Sequence, residues 1–119
     1  MIGGVLGVVA RYQIGSWLSG WSSPPSQFPW ATFLINVSGS FVLGFAMRYL
    51  TGVASSPAIR LMVTTGFCGG YTTFSTFSYE FVSLMQSGEK TLALSYMLAT
   101  ISLGPLACLG GFALAAVLL

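Results

Sequence analysis

Marked simply as apolar or polar, the 119-residue chain resolves into four long apolar segments, near 2–21, 29–50, 59–87 and 91–118, separated by short polar runs. Each is close to or above the ~20 residues a helix needs to cross the hydrocarbon of a bilayer. The runs between them, SGWSSPPSQFP, LTGVASSPA and QSGEK, are built from Ser, Gly and Pro, the residues of turns and helix ends. The pattern predicts an all-α membrane protein, one domain over 1–119 made of four transmembrane helices, with almost nothing outside the bilayer. The first segment is expected to be a retained helix rather than a secretory signal, because MIGGVLGVV lacks a basic leader and SWLSGWSS makes a poor cleavage site.

Inside hydrocarbon every polar group needs a partner, so polar positions within these segments are where function is sought. At 100° per residue, Thr32, Asn36 and Ser40 form one stripe on the second segment, and Tyr96 and Thr100 form a shorter one on the fourth. Hydrogen bonding between helices is the plain alternative for the Asn36 stripe. The third segment is the densest, reading GFCGGYTTFSTFSYE from Gly66 to Glu80. It is longer than one straight span requires, and Gly69–Gly70 followed by Thr72–Thr73 predicts a break near its centre. Glycine in a helix interior is about 1 kcal/mol worse than alanine, and the threonine pair adds a little more. Such a break releases backbone carbonyls, which at membrane depth often hold ions. Beyond it, Phe74, Phe77 and Phe81 share one face while Thr73, Thr76 and Glu80 share another, with Ser75 between them. A phenyl stripe at this spacing is by itself more often packing; a hydroxyl lane in the same turns shifts that balance.

Small residues also recur at helical spacing, as Gly3, Gly7 and Gly15 in the first segment and Gly104, Cys108 and Gly111 in the last. Such faces let helix backbones approach closely, either within a subunit or between subunits.

Composition sharpens the membrane assignment and removes whole classes of chemistry. The chain is 55% hydrophobic and 5% charged, against roughly 25% charged in an ordinary soluble domain. It has no histidine, its only acids are Glu80 and Glu89, and Cys68 and Cys108 show no ligand spacing and read as small buried residues. Histidine-based catalysis, His/Cys metal clusters and paired carboxylates therefore lack their residues, and the chain is not expected to be an enzyme. A net charge of +2 does not suggest a nucleic-acid partner. The loops place Arg48 and Arg60 on one side and Lys90 on the other, a bias too weak to fix orientation. A chain so weakly biased can insert both ways and pair with an opposed copy. Arg11 lies inside the first segment, where a charge at the bilayer centre costs about 2.5–3.5 kcal/mol. Two readings are open for it: snorkelling to the interface, or facing a water-filled vestibule, where its constant positive charge suits an anion path.

Three motifs then stand together: G-x-x-x-R-Y at Gly7–Tyr12, T-x-x-x-N-x-x-G-S-F from Thr32 to Phe41, and G-x-x-G-G-x-T-T-F-S-T-F from Gly66 to Phe77. With them the chain resembles, over essentially its whole length, the Fluc-type (CrcB) fluoride channels. The resemblance implies a four-helix subunit in the cell (inner) membrane, assembled as an antiparallel, dual-topology homodimer with two pores for fluoride. It implies that Phe74 and Phe77 point ring edges, the positive rim of the phenyl group, at the permeating anion. It assigns Asn36 to the pore lining, Ser75 and Thr76 to a polar track with Glu80 near it, and Tyr96 and Thr100 to the fourth helix's share of the pore. It further implies a structural sodium ion at the dimer centre, held by the backbone carbonyls of Gly69 and Thr72 from each subunit. The chain departs from the family pattern in beginning almost directly in its first helix and in carrying Ala31–Thr32 where a glycine–threonine pair is usual. Two other classes share the four-span pattern. A small multidrug transporter wants a carboxylate deep in the first helix, where this chain has Arg11 and no acid. An accessory subunit would use Asn36 and the hydroxyls only as interhelical glue.

Overall fold

The structure, a computed structural model, describes residues 1–18 and 28–119. The end of the first apolar segment and most of the run that follows it, 19–27, lie outside the described residues. The described elements are helical: α1 (Ile2–Leu18), α2 (Trp30–Gly52), α3 (Pro57–Leu61), a π-helical stretch (Met62–Cys68), α4 (Gly69–Tyr71), α5 (Phe74–Gln86) and α6 (Lys90–Leu118). Among the described residues, α2 and α6 are each long and apolar enough to cross a membrane. The third apolar segment is not one α-helix but a succession of pieces, with wide π turns in its first half.

Local chemistry sets the element ends. Ser56 caps α3 by accepting from the Ile59 amide, with Pro57 in the first turn where its missing N–H goes unused. Thr73 does the same for α5 through the Thr76 amide. The turn from α5 to α6 needs a left-handed residue and has Gly88 there, at φ +84°.

Packing is between backbones as much as between side chains. α2 runs along α6, α1 lies against the π stretch and α4, and α5 packs on α6. A methyl group on Gly44 would strike the Cys108 carbonyl, and one on Gly7 the Phe67 carbonyl, so at these two crossings the helices touch main chain to main chain. Gly3 and Gly111 sit equally close, to the Met62 and Phe41 carbonyls, so these members of the two small-residue stripes are spent inside the subunit. Gly15 and Gly104 are looser: a methyl group on them would lie 3.8 Å from the Ile35 side chain and 3.9 Å from the Ser40 hydroxyl. The apolar core gathers Phe33, Leu84, Ala93 and Tyr96, with Phe28, Phe77 and Phe81 against it.

The subunit measures 50 × 27 × 20 Å. Its thinnest dimension is only about two helix diameters, so each layer keeps a face with no cover from the same chain. Phe74, Tyr79, Leu109 and Val117 are among the large apolar side chains left exposed. An apolar surface of that breadth does not belong in water; this is a membrane protein.

Candidate functional site

The site grows from one departure in the backbone. Thr72 (φ −83°, ψ 157°) and Thr73 (φ −149°, ψ 117°) are extended, between the last turn of α4 and the first of α5. Gly69 and Gly70, which the sequence joins with these threonines as the weak point, remain helical. Gly70 is required instead for contact, since a methyl there would press on the Gly4 carbonyl of α1.

Asn36 of α2 meets the extended pair. Its Nδ2 donates to the Thr73 carbonyl at 3.1 Å, and its Oδ1 accepts from the Thr73 amide at 2.9 Å. One side chain thus satisfies both polar groups of one residue, as a facing residue does in an antiparallel strand pair. The consequence reaches the neighbouring carbonyls. In an unbroken helix the Thr73 amide would bond to the Gly69 carbonyl and the Thr76 amide to that of Thr72. Here the first is taken by Asn36 and the second by the Thr73 hydroxyl at 3.2 Å. Thr72 turns its own amide (3.0 Å) and hydroxyl (2.8 Å) back to the Cys68 carbonyl.

Arg11 approaches from the other side. Its Nε donates to the Gly70 carbonyl at 3.1 Å, and the side chain is half-buried. Arg11 therefore turns inward to the main chain rather than running along the lipid face, and it lines a cavity.

Two grooves flank the Asn36–Thr73 contact. The first, of ≈ 520 Å³, is bordered by Asn36, Phe74, Phe77 and Thr100, with Gly69 and Thr72 along it. The second, of ≈ 310 Å³, is bordered by Arg11, Tyr12, Ser16, Thr32 and Thr76. Thr73 borders both. The two faces read on α5 are thus delivered to different spaces, phenyl groups to the first and the Thr76 hydroxyl to the second.

The rings are close but unequal in burial. Phe74 and Phe77 have centroids 5.8 Å apart at 46°, and Phe77 lies 5.0 Å from the Tyr96 ring. Phe74 is 79% exposed in the single subunit, whereas Tyr96 is fully buried. The Tyr96 hydroxyl donates to Glu80 Oε1 at 3.1 Å, and Thr32 lies beside the same carboxyl group. Glu80 is thereby tied to α6, stands next to α2 and borders neither groove. Thr100 Oγ1 is buried with no hydrogen-bond partner among the described residues. Ser75 is exposed, with its hydroxyl 3.4 Å from that of Thr73, and it borders neither groove.

Three further participants emerge that the sequence alone does not single out as site residues. Thr73 is the pivot, and a signal for it exists, a threonine just before a helical run and three residues from Thr76. Thr32 lies on the Asn36 stripe, where nothing in one dimension gives it a role. Ser38, which bonds to the Tyr71 hydroxyl at 2.9 Å and so steadies the turn before the extended pair, carries no sequence signal. Among the described residues no three His, Cys, Asp or Glu side chains come together, so any cation here would have to rely on other oxygens.

Comparison with known proteins agrees along the chain. A relative from Methanopyrus kandleri, "Fluoride-specific ion channel FluC", is 46% identical over 115 residues, covering 96% of this chain and 84% of its own. Proteins of the same name from Acidobacterium capsulatum and Rhizobium meliloti are 44% identical over 107 residues (89% of this chain, 84% of the relative) and 41% identical over 113 (94% and 89%). Residues 1–112 match the family described as "CrcB-like protein, Camphor Resistance (CrcB)", and with this coverage the chain belongs to the CrcB family.

Proposed function

We propose that this protein is a fluoride-selective channel that lets fluoride leave the cell passively down its electrochemical gradient. The observation that carries the reading is the convergence of Asn36, Phe74, Phe77 and Thr100 on one groove, in a chain whose relatives are named fluoride-specific ion channels. Fluoride is small and strongly hydrated, so a path for it must replace water with donors as water is shed. The hydroxyls of Thr76 and Thr100 are donors of that kind, and phenyl edges add a weaker positive rim. Conduction needs sites favourable enough to enter and weak enough to leave. Phenyl edges and neutral hydroxyls meet that demand better than fixed cations. Arg11 stands in the second groove, where its charge would draw anions towards the hydroxyls.

We read the chain as a multi-pass protein of the cell (inner) membrane, whose third span is broken at Thr72–Thr73. We read the working unit as an antiparallel, dual-topology homodimer with two pores. Supporting this, the subunit is only 20 Å thick and leaves Phe74 and Gly69 open. A sodium ion at the dimer centre fits the donor set. The carbonyls of Gly69 and Thr72 lack their helical amides, belong to residues that border the first groove and are the hard oxygen donors such an ion takes. Bound there, sodium would join the two subunits across their breaks. For a proton-coupled multidrug transporter, by contrast, α1 offers an arginine bonded to a carbonyl and no acid.

The test is efflux from proteoliposomes followed with a fluoride electrode. The channel reading expects rapid fluoride release that needs no proton gradient and little release of chloride. Proton-coupled cation uptake would mark a transporter, and neither flux an accessory subunit.

A further inference from the structure

We propose that Asn36 governs permeation as a positioning residue, acting through the main chain of Thr73. The inference rests on the channel reading above and assigns one residue within it a further job. The geometry is on both sides of the contact. Nδ2 and Oδ1 each bond to Thr73, at 3.1 and 2.9 Å, across 37 residues of sequence. Asn36 is held in turn, since its backbone carbonyl accepts the Ser40 hydroxyl at 2.8 Å within a helix that packs along α6. The amide that would otherwise close the helix onto Gly69 is the one Asn36 occupies. Weaken the clamp at either of its two bonds and Thr73 is no longer held extended against α2. That would let α5 turn, swinging Phe74 and Phe77 about its axis and shifting the break beside the groove. Asparagine suits the task because its amide presents N–H donors and a carbonyl acceptor side by side on a short stem. An aspartate lacks the donor and a leucine lacks both.

A double-mutant cycle isolates the contact. One arm is Asn36→Leu. The other replaces Thr73 with its α-hydroxy acid analogue, which turns the amide into an ester, deletes the N–H that Asn36 accepts and leaves every side chain in place. Fluoride efflux and the thermal unfolding midpoint in detergent are read for each arm and for the pair. Each single change is expected to slow efflux at least tenfold, and the combination to be no more than about twofold worse than the poorer single. The midpoints should converge in the same way. An ester variant with wild-type efflux beside an inactive Asn36→Leu overturns the proposal, and so do effects that simply multiply. Multiplication would also expose any separate effect of the ester on the Thr72 carbonyl. If Asn36→Leu does not fold, Asn36→Ala takes its place in the cycle. A third readout separates positioning from mere loss of stability: the sodium concentration for half-maximal efflux should rise at least tenfold in Asn36→Ala and stay unchanged in Gly44→Ala, whose added methyl disturbs a helix crossing and borders neither groove. An unchanged value in both counts against the proposal. Absence of fluoride efflux from the wild-type protein would sink the channel reading instead, and the midpoint cycle would still decide whether the clamp exists.

Discussion

Tyr96 of α6 is fully buried, and its hydroxyl donates to Glu80 of α5 at 3.1 Å. The bond joins the helix that carries the phenyl groups to the longest helix among the described residues, and the Tyr96 ring meanwhile packs 5.0 Å from Phe77. Tyr96→Phe keeps the ring and loses only the donor. Leaving a half-buried carboxyl short of one partner costs about 1–3 kcal/mol. The expected result is a loss of that size in reversible unfolding in mixed micelles, with helicity by circular dichroism unchanged.

The two phenylalanines of the first groove should separate into different phenotypes. Phe77 touches Tyr96, while Phe74 is 79% exposed in the subunit. Aromatic pairs contribute about 0.5–1.5 kcal/mol beyond their area. Phe77→Ile should therefore lose both fluoride efflux and roughly that much subunit stability. Phe74→Ile should lose efflux with a near-normal unfolding midpoint; equal destabilisation in both would contradict the packing described above.

Close backbone crossings predict an ordering among glycine variants. Gly7→Ala and Gly44→Ala push a methyl into a carbonyl of the facing helix, and overpacking of this kind typically costs about 1–3 kcal/mol. A methyl on Gly69 meets nothing within 4 Å. Gly69→Ala should accordingly leave subunit unfolding unaltered or slightly improved, since alanine is the better helix former. Unfolding measured on the three variants side by side checks the order.

Much of this is legible in one dimension. The all-helical class and the bounds of the second and fourth apolar segments follow from hydrophobic run length, and observed α2 and α6 lie within two residues of the expected ends. The two faces of α5 follow from helical periodicity, because a regular helix converts spacing into direction without reference to the rest of the fold. What periodicity does not carry is the partner across the gap. Asn36 borders the first groove and also bonds to Thr73, 37 residues away, and no spacing in the sequence announces that second contact. Arg11 likewise has two solvent-side readings in the sequence and is found on the Gly70 carbonyl. The π stretch over Met62–Cys68 leaves no mark in the sequence. It widens the turns where the Met62 and Phe67 carbonyls meet Gly3 and Gly7, a condition set by α1 rather than by local propensity.

Dual insertion has its own check. The turn at Gly88–Glu89 is exposed, so a cysteine placed by Glu89→Cys, with Cys68 and Cys108 replaced by alanine, reports sidedness. A membrane-impermeant maleimide should label a substantial share of the protein in both right-side-out and inside-out vesicles. Labelling confined to one kind of vesicle would rule out an antiparallel pair.

The central claim is that fluoride itself crosses the membrane through this protein along the groove lined by Phe74 and Phe77. Its most direct measurement is the initial rate of fluoride release from proteoliposomes holding the wild-type protein, Phe74→Ile or Phe77→Ile at equal reconstituted amounts. The account predicts fast release from wild type and release near the protein-free leak from both variants. Wild-type release at the leak rate, or full release retained in both variants, would contradict it.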